Sequence, residues 1–230
     1  DIESACAADG TEKRIGDASF IGNKLEVNIT PFSVRTYKVT LKKHEPAAKA
    51  FMPLSLPYDK KCISFNEMRR EGDIESGYSY AAELLPDSVL VADGIPFRIG
   101  DKYAENGLAC KGNVLQLPKN NTYNRLYILA ASTAADSTAT IQIGKNKTSI
   151  TVPNYTGFIG QWEHIGQGKG FLKDAEVAYV GTHRHSKLAD EAYEFTYMFK
   201  YGIDIPAGAT EVTLPNDSHI VVFSATLVKE

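Results

Sequence analysis

Residues 177–185 read Val-Ala-Tyr-Val-Gly-Thr-His-Arg-His, and residues 193–206 read Tyr-Glu-Phe-Thr-Tyr-Met-Phe-Lys-Tyr-Gly-Ile-Asp-Ile-Pro. In both stretches β-branched and aromatic residues recur with period two between turn formers, which is the pattern of a β-strand. Tyr193, Phe195, Tyr197, Phe199, Tyr201 and Ile203 fall on one face of the second strand, with Glu194, Thr196, Met198, Lys200 and Asp204 on the other. In the first strand Tyr179, His183 and His185 share a face, because alternate side chains of a strand point the same way. The aromatic row reads as the core face of a sandwich, since each ring buries a large apolar area. A sugar-stacking platform is the alternative.

Working outward, strand patterns are dense from residue 88. They cover 88–92, 95–99, 113–117, 124–132, 137–143 and 148–152 before the opening stretch, and 210–214 and 219–228 after it. The segments 124–132 and 219–228 are apolar on both faces and read as central strands. Many short strands separated by Gly, Asn and Pro predict an all-β fold, a jelly-roll or galactose-binding-like β-sandwich over residues 88–230. The longest loop, 153–175, holds the only Trp. Residues 46–87 carry Pro46, Pro53, Pro57 and Pro86, with apolar anchors such as Leu56, Ile63, Phe65 and Tyr80. Such a segment reads as a linker that wraps the sandwich rather than a solvated tether. Residues 1–45 read as an N-terminal β-ribbon that ends a preceding β-sandwich. In it, 24–29 pairs with 33–43, and the first 18 residues or so have little regular structure.

The net charge of −3 is small and no basic patch stands out, so neither nucleic acid nor an anionic membrane is an expected partner. No apolar run is long enough to cross a bilayer. Cys6, Cys62 and Cys110 are far apart with no C-x-x-C pair, which argues against a zinc knuckle or a disulfide framework. The chain starts without an initiator Met and reads as a fragment of a longer protein.

His183-Arg184-His185 is the sharpest chemical motif, because His-x-His on a strand puts two imidazoles on one face, as in cupin-like metal enzymes. A metal needs a third donor, and only Asp190, Glu191 or His219 could supply it. Without one, the expectation is that both histidines make structural hydrogen bonds, that no metal is bound and that no residue is catalytic. No glycosidase-type carboxylate pair, Gly-x-Ser-x-Gly elbow, phosphate loop or H-E-x-x-H motif is present. Carbohydrate contact is expected at one end of the sandwich, from Trp162 and His164 in the long loop with Arg184 and His185. These supply a ring face and polar donors on loops of a rigid scaffold.

Larger pieces carry a family likeness. Tyr179-Val180-Gly181-Thr182-His183-Arg184-His185, the row Tyr193 to Tyr201, Ile205-Pro206-Ala207-Gly208-Ala209, Thr213-Leu214-Pro215-Asn216 and Ile220 to Thr226 together resemble the C-terminal end of bacterial family 38 α-mannosidases. Ile29 to Tyr37 resembles the last strands of that family's large β-sandwich. Ala82-Glu83-Leu84-Leu85-Pro86 and Gly94 to Gly100 resemble the link to a terminal galactose-binding-like module. The resemblance implies a non-catalytic, structural or weakly carbohydrate-binding region of a glycan-degrading enzyme. Its partners would be the catalytic and central domains of the parent chain, and mannose-containing glycans. It places zinc in the absent catalytic domain, so no cofactor belongs to this segment. The compartment is unknown, with a periplasmic or extracellular setting expected over a cytoplasmic one. A free-standing carbohydrate-binding module and a cupin-like metal enzyme using His183 and His185 are the other readings.

Overall fold

The computed structural model describes residues 1–42, 49–157, 160–162, 170–172 and 175–230. It is all-β, and it divides into two compact units, Asp1–Ala48 and Lys49–Glu230.

The first unit contains β1 (Ile2–Ala8), β2 (Arg14–Asp17), β3 (Ser19–Ile21), β4 (Lys24–Glu26) and β5 (Thr36–Leu41). β1 is the middle strand of a three-stranded sheet, β2-β1-β5, and β3 pairs with β4. The pairing therefore differs from the ribbon that alternation predicts, and the first residues are not irregular. Alternation marks a strand without naming its partner. Gly22, at φ +60, makes a tight turn that closes β4 back onto β3. β1 escapes notice because Ala5, Cys6, Ala7 and Ala8 have weak strand propensity.

The second unit contains β6 (Ala50–Pro53), β7 (Ile63–Ser64), β8 (Ser79–Ala81), β9 (Val89–Ala92), β10 (Ile95–Arg98), β11 (Leu108–Ala109), β12 (Val114–Gln116) and β13 (Arg125–Ser132). It continues with β14 (Ser137–Ile143), β15 (Asn146–Val152), β16 (Gly160–Trp162), β17 (Gly170–Leu172), β18 (Glu176–His185), β19 (Asp190–Asp204), β20 (Glu211–Thr213) and β21 (Ile220–Lys229). An eight-stranded sheet runs β11-β21-β13-β19-β18-β8-β7, with β6 also on β21. β13 and β21 are central, as their two-sided apolar pattern requires. A four-stranded sheet, β12-β20-β14-β15, forms the second layer of the sandwich, and the Tyr201 hydroxyl donates across to the Thr151 carbonyl at 2.8 Å.

The other side of the large sheet is also covered. The β9–β10 hairpin lies against β18, β21 and β13, and its Asp93 reaches the Lys200 ammonium. Met198 and Lys200 are buried for that reason, although alternation places them on a polar face. Residues 49–87 are built into this same unit. β6 extends the sheet on β21, β7 and β8 form its far edge, and Leu56, Ile63 and Tyr80 enter the core.

The aromatic row of β19 is broken at its start. Gly181 pairs with Thr196 but His183 pairs with Ala192, so Tyr193, Glu194 and Phe195 stand opposite Thr182 alone. This bulge puts Tyr193 at φ +66 with its ring 81 % exposed, so it is not part of the core face. From Tyr197 onward the row is buried as the sequence predicts.

Candidate functional site

The histidine motif lies at the end of the β18–β19 hairpin. Ser186 closes the turn: its hydroxyl accepts the Leu188 and Ala189 amides at 3.4 and 3.1 Å, and its own amide bonds the Ala189 carbonyl. That register sets Asp190 directly opposite His185. On the other flank β18 pairs with β8, which brings Ser79 opposite His185 and, through β7, Ser64 beside it. Gly72 packs so closely here that an added Cβ would fall 2.4 Å from the Ser79 hydroxyl.

His185 is fully buried and burial pushes its pKa down, while nearby Glu83 opposes the shift. Its Nδ1 lies 3.4 Å from the Ser64 hydroxyl, which bonds the Ser79 hydroxyl at 2.6 Å. Its Nε2 has no hydrogen-bond partner and faces Asp190 Oδ1 at 3.5 Å and Glu83 Oε2 at 3.6 Å. His183 is partly exposed, with Nδ1 3.3 Å from the Thr182 hydroxyl and Nε2 3.9 Å from Asp190 Oδ2. Arg69 holds Asp190 Oδ1 at 3.0 Å, and Glu83 Oε1 accepts the Asn66 amide at 2.6 Å. One donor atom from each of His183, His185 and Asp190 lies within 4.8 Å of the others.

Of the expected sugar-contact set, the two residues described with side chains, Arg184 and His185, do not share a face. His185 has no exposed surface on which a sugar could pack. Arg184 points to the opposite face, as the next residue of a strand must. Its guanidinium is engaged by Glu191 at 2.7 Å and the Tyr155 hydroxyl at 3.1 Å, and lies 3.7 Å over the Tyr78 ring. The backbone of Trp162 pairs with Gly170 in the β16–β17 ribbon. The Trp162 side chain and His164 lie outside the described residues.

A second feature was not visible in the sequence. A cavity of about 810 Å³ opens between the 53–58 segment, Phe65, the 87–88 turn and residues 98–103. The Phe65 and Tyr103 rings form one wall, 4.8 Å apart and tilted by 32°, and Tyr103 is 62 % exposed. Lys102 is buried behind them, donating to the Ala82 and Leu85 carbonyls at 2.8 Å each and lying 5.7 Å from the Phe65 ring. Burial lowers its pKa, against the pull of Asp87 and Glu83. Asp101 accepts the Tyr103 amide at 2.9 Å. Tyr58 donates to the Phe223 carbonyl at 2.7 Å, and burial pushes its phenol up to about 12 although Arg98 pulls the other way. Asn106 fixes the loop from behind, its carbonyl oxygen taking the Cys62 and Ile63 amides and its NH₂ donating to the Ala104 carbonyl.

Phe65 counts in the sequence only as an apolar anchor, and Tyr103 sits in a loop without periodicity.

The family model of the AziU2-like β-sandwich domain matches residues 48–230, which coincide with the second compact unit. The chain belongs to that family. No curated protein matches the chain. The match overturns the resemblance to family 38 α-mannosidases. That resemblance rested on alternating strands and Pro-Gly turns, which unrelated sandwiches share because the same pleat and turn geometry demands them.

Proposed function

We propose that the Lys49–Glu230 unit is a non-catalytic carbohydrate-binding β-sandwich, and that its binding surface is the cavity walled by Phe65 and Tyr103. The observation that carries this reading is an exposed aromatic ring held rigidly beside polar planar groups. Tyr103 offers a face on which a sugar ring packs, while Arg98, Asp87 and Asp101 offer donors and acceptors for hydroxyls. The wall is preformed, because Lys102 and Asn106 hold both ends of the loop that carries Tyr103. Ordering that loop is therefore not part of the free energy of binding.

The cavity is open and few ligand atoms lose water, so affinity is on the order of millimolar, about −4 kcal/mol. Calorimetry or a glycan array with a panel of neutral and acidic saccharides tests this reading. It expects a saturable response to at least one class that disappears in Tyr103→Ala. A full panel without any response would remove the carbohydrate reading.

A further inference from the structure

The histidine cluster has three properties that hydrogen bonding alone does not explain. Each imidazole has its Nδ1 beside a hydroxyl, Ser64 for His185 and Thr182 for His183, so each presents its Nε2 to the same carboxylate. That is the arrangement of metal-bound histidines, whose second nitrogen is fixed by an outer partner. Next, His185 Nε2 is buried without a hydrogen bond. An unmatched buried polar atom of this kind destabilises a fold, so one left in place calls for a partner. Finally, the spacing around His185 Nε2 is too long for a hydrogen bond and suits a shared ion, while His183, 3.9 Å from Asp190 in a donor set that spans up to 4.8 Å, must swing inward to join it. Carboxylate oxygens stand 3.5 and 3.6 Å from His185 Nε2. Two donors each about 2.1 Å from a tetrahedral ion stand roughly 3.4 Å apart.

We propose that His183 Nε2, His185 Nε2 and an oxygen of Asp190 bind a divalent transition-metal ion such as Zn²⁺, with Glu83 Oε2 beside the remaining position. The sequence left the third donor open among Asp190, Glu191 and His219. The structure selects Asp190, because Glu191 is paired with Arg184 and His219 with Asp217. Two nitrogens and a carboxylate suit zinc, iron or manganese rather than calcium or magnesium. The charges agree: Asp190 and Glu83 outnumber the single cation Arg69, which holds Asp190 Oδ1 and orients the carboxylate. An ion can enter from the side of His183 and Asp190, whose side chains are 23 % and 43 % exposed.

Calorimetric titration of the full chain, stripped with chelator, with Zn²⁺ alone tests the site, and Co²⁺ provides a visible spectrum of the same site. The expected result is one ion per chain and a raised Tm. Because His185 lies in the core, where a replacement also changes packing, the informative variants are Asp190→Asn and His183→Ala at the exposed side. Each should keep the far-UV spectrum of the unaltered protein and weaken binding by at least a hundredfold. Ser64→Ala, which frees the His185 ring, should weaken it ten- to a hundredfold, and His219→Ala should leave it unchanged. No uptake of Zn²⁺, or uptake that survives both Asp190→Asn and His183→Ala, would overturn the proposal. Saccharide binding in the cavity does not depend on this outcome.

Discussion

Ser64 and Phe65 are neighbours in the chain, yet they serve regions of opposite character. Ser64 is fully buried and fixes His185, whereas Phe65 stacks with Tyr103 on an open wall. The histidine end is a closed set of polar groups oriented by hydroxyls and an arginine. The cavity is an aromatic surface oriented from behind by Lys102 and Asn106. The difference is one of where the polar groups point. Around His185 they point at one another and leave one nitrogen over. Around the cavity they point into the protein and leave the rings to solvent. Oriented donors around a gap suit a small ion, and an oriented ring face suits a flat, hydroxylated ligand.

This contrast makes predictions of graded size. The largest concerns Tyr80, which is fully buried behind the histidine end, touches the Tyr155, Tyr179 and Phe223 rings and donates to the Tyr197 carbonyl at 2.6 Å. Tyr80→Ala should cost about 3–5 kcal/mol in urea unfolding, as for other large aromatic truncations; a loss under about 1 kcal/mol would detach the histidine end from the core. Gly72→Ala forces a methyl against Ser79 and Ser64, and overpacking of this kind costs about 1–3 kcal/mol. Unchanged stability there would mean that the serine pair moves freely, which breaks the picture of a fixed His185.

The pH dependence should be smaller. Burial lowers the folded-state pKa of His185 below its unfolded value, so the unfolded chain binds the proton more readily. In metal-free protein the stability from neutral His185 is then present above about pH 6.5, the unfolded value, and is lost as pH falls through it toward the folded pKa. Urea midpoints between neutral and mildly acidic pH should fall less in His185→Gln than in the unaltered chain, and equal slopes would contradict the burial argument. The smallest effect is on the cavity side, where Tyr103→Ala should change stability by no more than about 0.5 kcal/mol, since its ring is largely exposed.

The strands of the second unit were legible because alternation and turn residues report local geometry. β14 matches its sequence reading of 137–143 in full, and β13 and β21 were identifiable as central from their two-sided apolar faces. Alternation could not reveal the bulge that expels Tyr193, since two added residues leave the period intact. It also could not foresee the β9–β10 hairpin that buries Lys200, or the partner of β5 across the first unit. At the histidine end the motif itself was plain, and hairpin register would have pointed to Asp190. Glu83, Arg69 and Ser64 arrive from more than a hundred residues away and carry no local signal. Arg184 shows the reverse case: a cation next to a motif reads as a binding group until its partners Glu191, Tyr155 and Tyr78 are seen.

The contrast between the two regions is tested most directly by amide NMR shifts during titration with the saccharide that responds best in the binding panel. The account predicts saturable shifts at Phe65 and at residues 98–103, none across 183–190, and loss of the whole response in Tyr103→Ala. Shifts confined to 183–190, or no shifts up to tens of millimolar, roughly ten times the expected dissociation constant, would contradict it.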